Sequence, residues 1–261
     1  VPHHFIRKLG RYAPLSPDDE ETVRRLAHET AWVDPNRDLL IDGAESREVC
    51  VVLDGWACAY KQLEDGRRQI IGFVMPGDAC GAAAVFPDVV NYSVGTLTAV
   101  RAARIPGRAL LATAETHPRI LRAFWLDRLA VSAIQREWTA SFGLYTARGR
   151  IAHLLCEIVT RLRAVGLADE DGCLLPLTQE DLGEAVGIST VHVNRTLQDL
   201  RASGLIALKR QQLVVPDFAA LRAVAQFDGA YLRPVRVRDD HDRPAGIEPL
   251  TGSVLGSVLS S

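Results

Sequence analysis

Between residues 39 and 106 the apolar positions fall in short β-prone runs and not in helical stripes: 49–53, 57–62, 69–74, 93–97 and 99–105. Turns carrying glycine separate them, among them Leu53-Asp54-Gly55-Trp56, Glu64-Asp65-Gly66-Arg67 and Pro76-Gly77-Asp78. Many short strands at near-regular spacing predict a roll or barrel and argue against a parallel sheet. Ahead of them, Ser16-Pro17-Asp18-Asp19-Glu20 reads as a helix start, with Ser16 as cap, proline at the first helical position and acidic residues in the first turn. That helix is expected to run to about Thr30 and to pack on the roll.

After Pro118 the period changes. Ile120, Phe124, Val131, Ile134, Trp138 and Tyr145 recur at three- and four-residue steps once Asp127 and Ser141 are admitted as polar breaks, the stripe of a coiled-coil seam. Leu121, Trp125 and Leu129 occupy a neighbouring face. A helix with two apolar faces needs two surfaces to bury them, and the economical pair is its own roll and the same helix of a second copy. The first stripe is therefore the expected dimer interface; the alternative is one broad face sunk into a single core. A further helix over 147–165 carries Ile151, Leu154, Leu155, Ile158 and Leu162 and ends at Gly166. Beyond Val235 the composition is polar and Gly/Ser-rich with no sustained apolar period, which reads as a disordered tail over 236–261.

The segment 177–215 is the most informative. Thr178 is placed to cap a helix, Asp181 stands where a capping-box acceptor belongs, and Leu182 and Val186 form an inner face. Gly183 is small where a second helix would cross, and Gly187 suits a tight turn anchored by Ile188. Ser189 then caps a second helix with Val193, Thr196, Leu197 and Leu200 inward, stopped by Gly204. A two-stranded wing is expected to follow: 205–208, a tip Lys209-Arg210-Gln211-Gln212, then 213–215. The outward positions of the second helix, Thr190, Val191, His192, Asn194, Arg195 and Gln198, are candidates to meet base edges in a major groove. Arg195 leads them, because a guanidinium pairs bidentately with guanine O6 and N7. Lys209 and Arg210 on the wing, with Thr178 and Ser189 at the helix starts, are candidates for phosphate contacts. An ordinary two-helix hairpin with a solvated face is the bland alternative.

Charge limits this picture without supporting it globally. The 261 residues carry a net charge of −2 and a pI near 6.4, so any DNA-binding surface must be local. Such a stretch exists: residues 189–210 hold Arg195, Arg201, Lys209 and Arg210 against Asp199. No apolar run approaches the roughly 18–20 residues of a membrane span, and the first residues lack the layout of a signal peptide, so the expected location is the cytoplasm, without a membrane partner. The five cysteines, Cys50, Cys58, Cys80, Cys156 and Cys173, are irregularly spaced with no C-x-x-C pair for zinc or an iron–sulfur cluster. No metal, cofactor or catalytic residue is expected.

These features together resemble the Crp/Fnr family over 18–232. The resemblance lies in Leu53-Asp54-Gly55, in Glu64-Asp65-Gly66-Arg67-Arg68-Gln69-Ile70-Ile71-Gly72-Phe73 leading to Pro76-Gly77-Asp78, and in Gly149-Arg150-Ile151-Ala152. It continues through Leu177-Thr178-Gln179-Glu180-Asp181-Leu182-Gly183 and Ile188-Ser189-Thr190-Val191-His192-Val193-Asn194-Arg195-Thr196-Leu197. It implies a homodimer on a two-fold-related site in double-stranded DNA, the long helix at the dimer axis, and RNA polymerase as a further partner if the protein activates. Members that bind cyclic AMP place a glutamate after the glycine that follows the Pro-Gly-Asp turn, and an arginine later on for the cyclic phosphate. Here Ala82 follows Gly81, Val90-Asn91-Tyr92-Ser93-Val94 has no basic residue, and the long helix offers Gln135 and Arg136 where hydroxyl residues would meet the base. The resemblance therefore argues against cyclic AMP as effector. The clustered N-terminal cysteines of oxygen-sensing members are missing ahead of Cys50. Many relatives place a glutamate beside the recognition arginine; Val191-His192 stand here.

The expected fold is α+β: a double-stranded β-roll of the cyclic-nucleotide-binding type at 16–116, a dimerisation helix at 117–146 and a winged helix-turn-helix at 147–235. The expected function is sequence-specific transcription regulation with an unknown effector. Three competing readings stay open. A cupin-like enzyme would need a histidine cluster, and 39–106 contains no histidine. A thiol redox sensor would act through Cys50, Cys58 or Cys80, although Cys58 has no cation beside it in sequence. An effector-independent regulator would use the roll as scaffold.

Overall fold

The computed structural model describes residues 3–81, 88–169 and 172–233. Ala82 and the tail 236–261, both given readings above, lie outside the described residues. The fold is α+β. Helices α1 (His3–Leu9) and α2 (Pro17–Leu26) precede strands β1 (Thr30–Val33), β2 (Asp38–Leu40), β3 (Glu45–Ser46), β4 (Glu48–Asp54), β5 (Ala57–Gln62), β6 (Arg68–Val74), β7 (Ala79–Cys80), β8 (Asp88–Val89), β9 (Ser93–Thr96) and β10 (Val100–Pro106). Helices α3 (Gly107–Thr116), α4 (Pro118–Leu144) and α5 (Ala147–Val165) lead to β11 (Gly172–Leu174), α6 (Gln179–Val186), α7 (Thr190–Ala202), β12 (Ala207–Lys209), β13 (Gln212–Val214) and α8 (Phe218–Ala225). The predicted cap of α2 is present as a full capping box between Ser16 and Asp19.

Two four-stranded antiparallel sheets, ordered β1-β10-β4-β7 and β2-β9-β5-β6, make the roll. The alternation of side chains along β4 shows how it is filled. Val49, Val51 and Leu53 point to a layer formed by α1, α2, α3 and the start of α4, while Cys50 and Val52 point between the sheets beside Val74, Val94 and Val100. The outer face of the second sheet is covered by the C-terminal half of the chain. Phe73 on β6 packs edge-on against Trp56 and Trp138, and this cluster runs without a break into Ile151, Leu155, Leu182 and Leu197.

Charged side chains are buried where the two halves meet. Lys8 of α1 lies 2.6 Å from Asp78 and 2.6 Å from Asp127 of α4, which is also paired with Arg128. Arg161 of α5 bridges Asp78 at 2.7 Å and Glu157 at 3.1 Å and donates to the Phe73 carbonyl. Glu157, fully buried, also accepts from Trp138 Nε1 and the Tyr231 hydroxyl, each at 3.0 Å. The carboxylate raises the Tyr231 pKa further than burial alone does.

The long helix has two apolar faces, and the one expected to look outward looks inward. Ile120 and Phe124 are buried against the roll, and Ile134 and Trp138 against Phe73 and the C-terminal domain. Val131 is half-buried beside Lys8, Asp78 and Arg161. Tyr145 stacks on His153, 5.5 Å between ring centroids. The stripe expected at a dimer seam is thus turned into this chain's own core. The reason is Asp127: only 1% exposed, it sits on the same face, where Lys8 and Arg128 neutralise it. The outward face is the other one, with Trp125 60% and Leu129 45% exposed and Leu121 half-buried.

Burial would raise the Asp127 pKa, but the Lys8 ammonium and the Arg128 guanidinium outweigh it and pull the group down from 3.8 to about 2. The depressed folded-state value means that its stabilisation, about 2 kcal/mol at neutral pH, is present above the unfolded pKa. It is lost as pH falls through the folded one. Denaturant titrations between about pH 5 and pH 2 should show Asp127→Asn less stable than the natural chain at the upper end, with a flatter acid limb.

Candidate DNA-binding surface

The helix-turn-helix is set by two caps and two glycines. Thr178 accepts from the Asp181 amide while Asp181 Oδ2 accepts from the Thr178 amide at 2.8 Å, a complete capping box opening α6. Gly187 ends α6 at φ +66°, a left-handed conformation that glycine adopts without strain. Gly183 is required for contact: a Cβ there would lie 2.7 Å from the Ile188 carbonyl oxygen, so the turn could not close against α6. Ser189 accepts from the His192 amide and opens α7. Val193, Thr196, Leu197 and Leu200 are buried, as are Leu182 and Val186 across from them.

The outward face of α7 follows from that packing. Thr190, Val191, Arg195 and Gln198 are exposed, Val191 by 81%, which is unusual for a branched apolar side chain on a helix. Arg195 makes no hydrogen bond or ion pair among the described residues. His192 and Asn194 are half-buried, and Asn194 Nδ2 donates to Gln179 Oε1 at the start of α6, 3.1 Å away. Asn194 is therefore held in a fixed orientation between the two helices. Arg148 at the start of α5 ties the rear of α7 through Asp199 at 3.1 Å and Ser203 at 3.0 Å.

The wing differs from its expected extent. Its strands are β12 and β13, each starting one or two residues away from the sequence reading, and the two-residue turn between them is Arg210-Gln211. Both turn residues have positive φ, +49° and +65°, as the twist of a two-residue hairpin requires. The sequence lacks the Asn-Gly signal that announces such a turn, which is why a longer loop was expected. A third strand, β11, pairs with β13 in the order β11-β13-β12, and Leu175 donates to the Gln211 carbonyl at 2.7 Å. Lys209, Arg210, Thr178 and Ser189 are all exposed.

Sequence reasoning missed the contacts that fix this unit to the roll. Arg68 of β6 is bonded to Glu184 at 2.7 Å and lies 3.6 Å from Asp181, while Gln69 donates to the Glu184 carbonyl. Arg67 is exposed and bonded to Asp65 in the turn. In the roll, a cavity of about 230 Å³ is lined by Asp38, Glu45, Arg47, Glu48, Cys50 and Arg104, among others. Both arginines there already face carboxylates, Arg104 on Glu48 at 3.0 Å and Arg47 on Glu45 at 3.5 Å. Among the described residues no helix is long and apolar enough to cross a membrane, and no three His, Cys, Asp or Glu side chains converge as a metal site.

A roll followed by a long helix and a winged helix-turn-helix with an open recognition face defines a DNA-binding regulator. Comparison with known proteins gives the same class. Residues 32–117 match the cyclic nucleotide-binding domain and residues 149–224 the Crp-like helix-turn-helix domain. The transcriptional activator protein FnrL of Cereibacter sphaeroides is 32% identical over 180 residues, 66% of this chain and 71% of that one. The nitrogen fixation regulation protein FixK of Bradyrhizobium diazoefficiens is 32% identical, covering 67% and 72%. The structure of FixK2 from Bradyrhizobium japonicum superposes with a TM-score of 0.68 over 75% of this chain and 96% of that one, at 23% identity, and so bears on the fold alone. The chain belongs to the Crp/Fnr family of transcription regulators, and the cupin-like enzyme reading falls with that membership.

Proposed function

We propose that the protein acts as a homodimer on a two-fold-related DNA site, reads bases through α7 and is not switched by cyclic AMP. The observation that carries the reading is the outward face of α7, where an unpaired Arg195 stands beside Thr190, Val191 and Gln198. Arg195 supplies a bidentate pair to guanine, Thr190 and Val191 apolar contact to a thymine methyl, and Gln198 or Asn194 a pair to adenine. Because Asn194 is already bonded to Gln179, Gln198 has the greater freedom to reach a base. Lys209 and Arg210 at the wing tip, with Thr178 and Ser189 at the helix starts, meet phosphates and add affinity without sequence choice. RNA polymerase is the remaining partner if binding activates transcription.

Selection of bound DNA from a random pool tests this directly. Arg195→Ala should weaken the selected site by about 1–3 kcal/mol and relax preference at one base position. Lys209→Ala should weaken all sequences evenly and flatten the salt dependence. Unchanged base preference in Arg195→Ala would remove Arg195 from the recognition role.

The dimer is assigned to the outward face of α4. Leu121, Trp125 and Leu129 project there at four-residue steps and are continued by Ser132, Arg136 and Ala140, all exposed. A tryptophan left more than half exposed on a long helix marks an association surface. Two copies joined there would present two α7 helices to successive major grooves about 34–36 Å apart. Light scattering of Trp125→Glu/Leu129→Glu should give a monomer with the natural chain's secondary structure, whereas Ile134→Asp should unfold the chain.

Against cyclic AMP stand the groups around the roll. An anionic cyclic phosphate needs a cation or several backbone donors to offset its desolvation. Arg68 is committed to Glu184, Arg104 to Glu48 and Arg47 to Glu45. Titration calorimetry with cyclic AMP at millimolar concentration should show no saturable heat; binding that tightens DNA association would overturn this part of the reading.

A further inference from the structure

Two cysteines face each other across neighbouring strands of the roll. β4 and β7 pair antiparallel with Cys50 opposite Cys80 and Val51 opposite Ala79. Directly opposed residues of such a pair have Cα atoms about 4.5–5.5 Å apart, inside the span of roughly 4.4–6.8 Å that a disulfide bridges. The register thus places the two backbones within the span of such a bond, and closing it takes up only a small shift of β7 against β4. Both thiols are free and buried, and each acts on the ionisation of the other.

The pair is chemically asymmetric. The neighbouring Cys80 thiol lowers the Cys50 pKa against the opposing effect of burial, with help from the Arg104 guanidinium and opposition from the Glu48 carboxylate. Cys50 in turn raises the Cys80 pKa, as does burial, while Arg128 acts the other way and Asp78 adds to the rise. Cys50, which borders the cavity in the roll, is the thiol that meets an oxidant, and Cys80 opposite it is the resolving thiol. Cys50 also lines the cavity of about 230 Å³ in the roll, together with Arg104, Glu48, Leu40 and Val90, which gives a small oxidant a route to it. The other cysteines are unsuited: burial pushes the Cys58 and Cys156 thiols up to about 12 and the Cys173 thiol to about 11.

We propose that Cys50 and Cys80 are a redox site, oxidised to a cross-strand disulfide by a hydroperoxide, and that the bond signals to the DNA-binding domain. The inference deepens the regulator reading by supplying its signal, and depends on that reading only for the DNA response. The Cys50 thiolate attacks the O–O bond of the peroxide, one oxygen transferring to sulfur as the sulfenic acid and the other leaving, after protonation, as water. The Cys80 thiol then attacks the sulfenic sulfur and expels a second water. In sum two thiols lose two electrons and two protons to one hydrogen peroxide, which becomes two waters.

The bond is positioned to be felt at a distance. Cys80 follows Ala79, whose carbonyl accepts from Arg128 of α4 at 2.6 Å, and Asp78, whose carboxylate holds Lys8 and Arg161. Arg161 belongs to α5, the helix against which α6 and α7 pack. A change in the seat of β7 therefore reaches both the outward-facing helix and the reading domain through charged contacts that have little slack.

The full-length chain is reduced, titrated with hydrogen peroxide and followed by intact mass and by peptide mapping without reductant, while DNA affinity is measured on the site selected by the reduced protein. The expected result is a mass loss of two hydrogens, a Cys50–Cys80 cross-linked peptide reversed by dithiothreitol, and a change in DNA affinity on the order of tenfold. Cys80→Ser and Cys80→Ala should both stop at a Cys50 sulfenic acid trapped by dimedone, with no change in affinity, and Cys58→Ser should respond like the natural chain. A cross-link through another cysteine, or none at peroxide levels that oxidise a free thiol peptide, would overturn the site. The cross-link with unaltered affinity would overturn the signalling role. Because the mass readout does not involve DNA, a chain that forms the cross-link but binds DNA in neither state supports the site and counts against the regulator reading.

Discussion

The two halves of this structure are fixed to one another by a set of buried charges at their meeting point. Asp78, Asp127 and Glu157 are buried and Lys8, Arg128 and Arg161 largely so, and each is matched by an opposite charge within hydrogen-bonding distance. Removing one member leaves its partners charged in a medium that cannot solvate them, a cost of about 3–5 kcal/mol for a buried pair. Such a junction does little for net stability compared with an apolar one of the same shape. It does define one relative placement of α1, the roll, the long helix and α5, because these charges are satisfied together only in that arrangement.

The long helix takes its orientation from the same junction. Ile120, Phe124, Ile134 and Trp138 follow Asp127 inward, and Trp138 completes the arrangement by donating to Glu157. What remains outside is the face of Trp125 and Leu129. That outward face is in this way the residue of an intramolecular choice, made by an aspartate that needs Lys8 beside it.

The helix-turn-helix depends much less on that junction. Its caps, its turn glycine and its close crossing at Gly183 are all local, and its outward face needs only α6 and α7 to be in place. Contact with the roll enters through Arg68 and Gln69, which hold α6 by its Glu184 side chain and carbonyl. The helix-turn-helix is thus a locally specified unit held by a non-local clamp.

What the sequence determined by itself was whatever obeys a short-range rule. The main strands of the roll, the Ser16 cap, the Thr178 capping box, the Gly187 turn and the inward positions of α7 were legible because period, capping and φ preference act within a few residues. The short strands β1, β2, β3, β7, β8 and β11 were not, since two to four residues carry no period and owe their conformation to a partner far along the chain. The turn at Arg210-Gln211 was also hidden, its positive φ values being imposed by the flanking strands. Above all, periodicity revealed that the long helix has two apolar faces and could not say which one looks inward. That was decided by Lys8, more than a hundred residues upstream of Asp127, because the desolvation of a buried carboxylate is offset only by a cation that the tertiary structure brings to it.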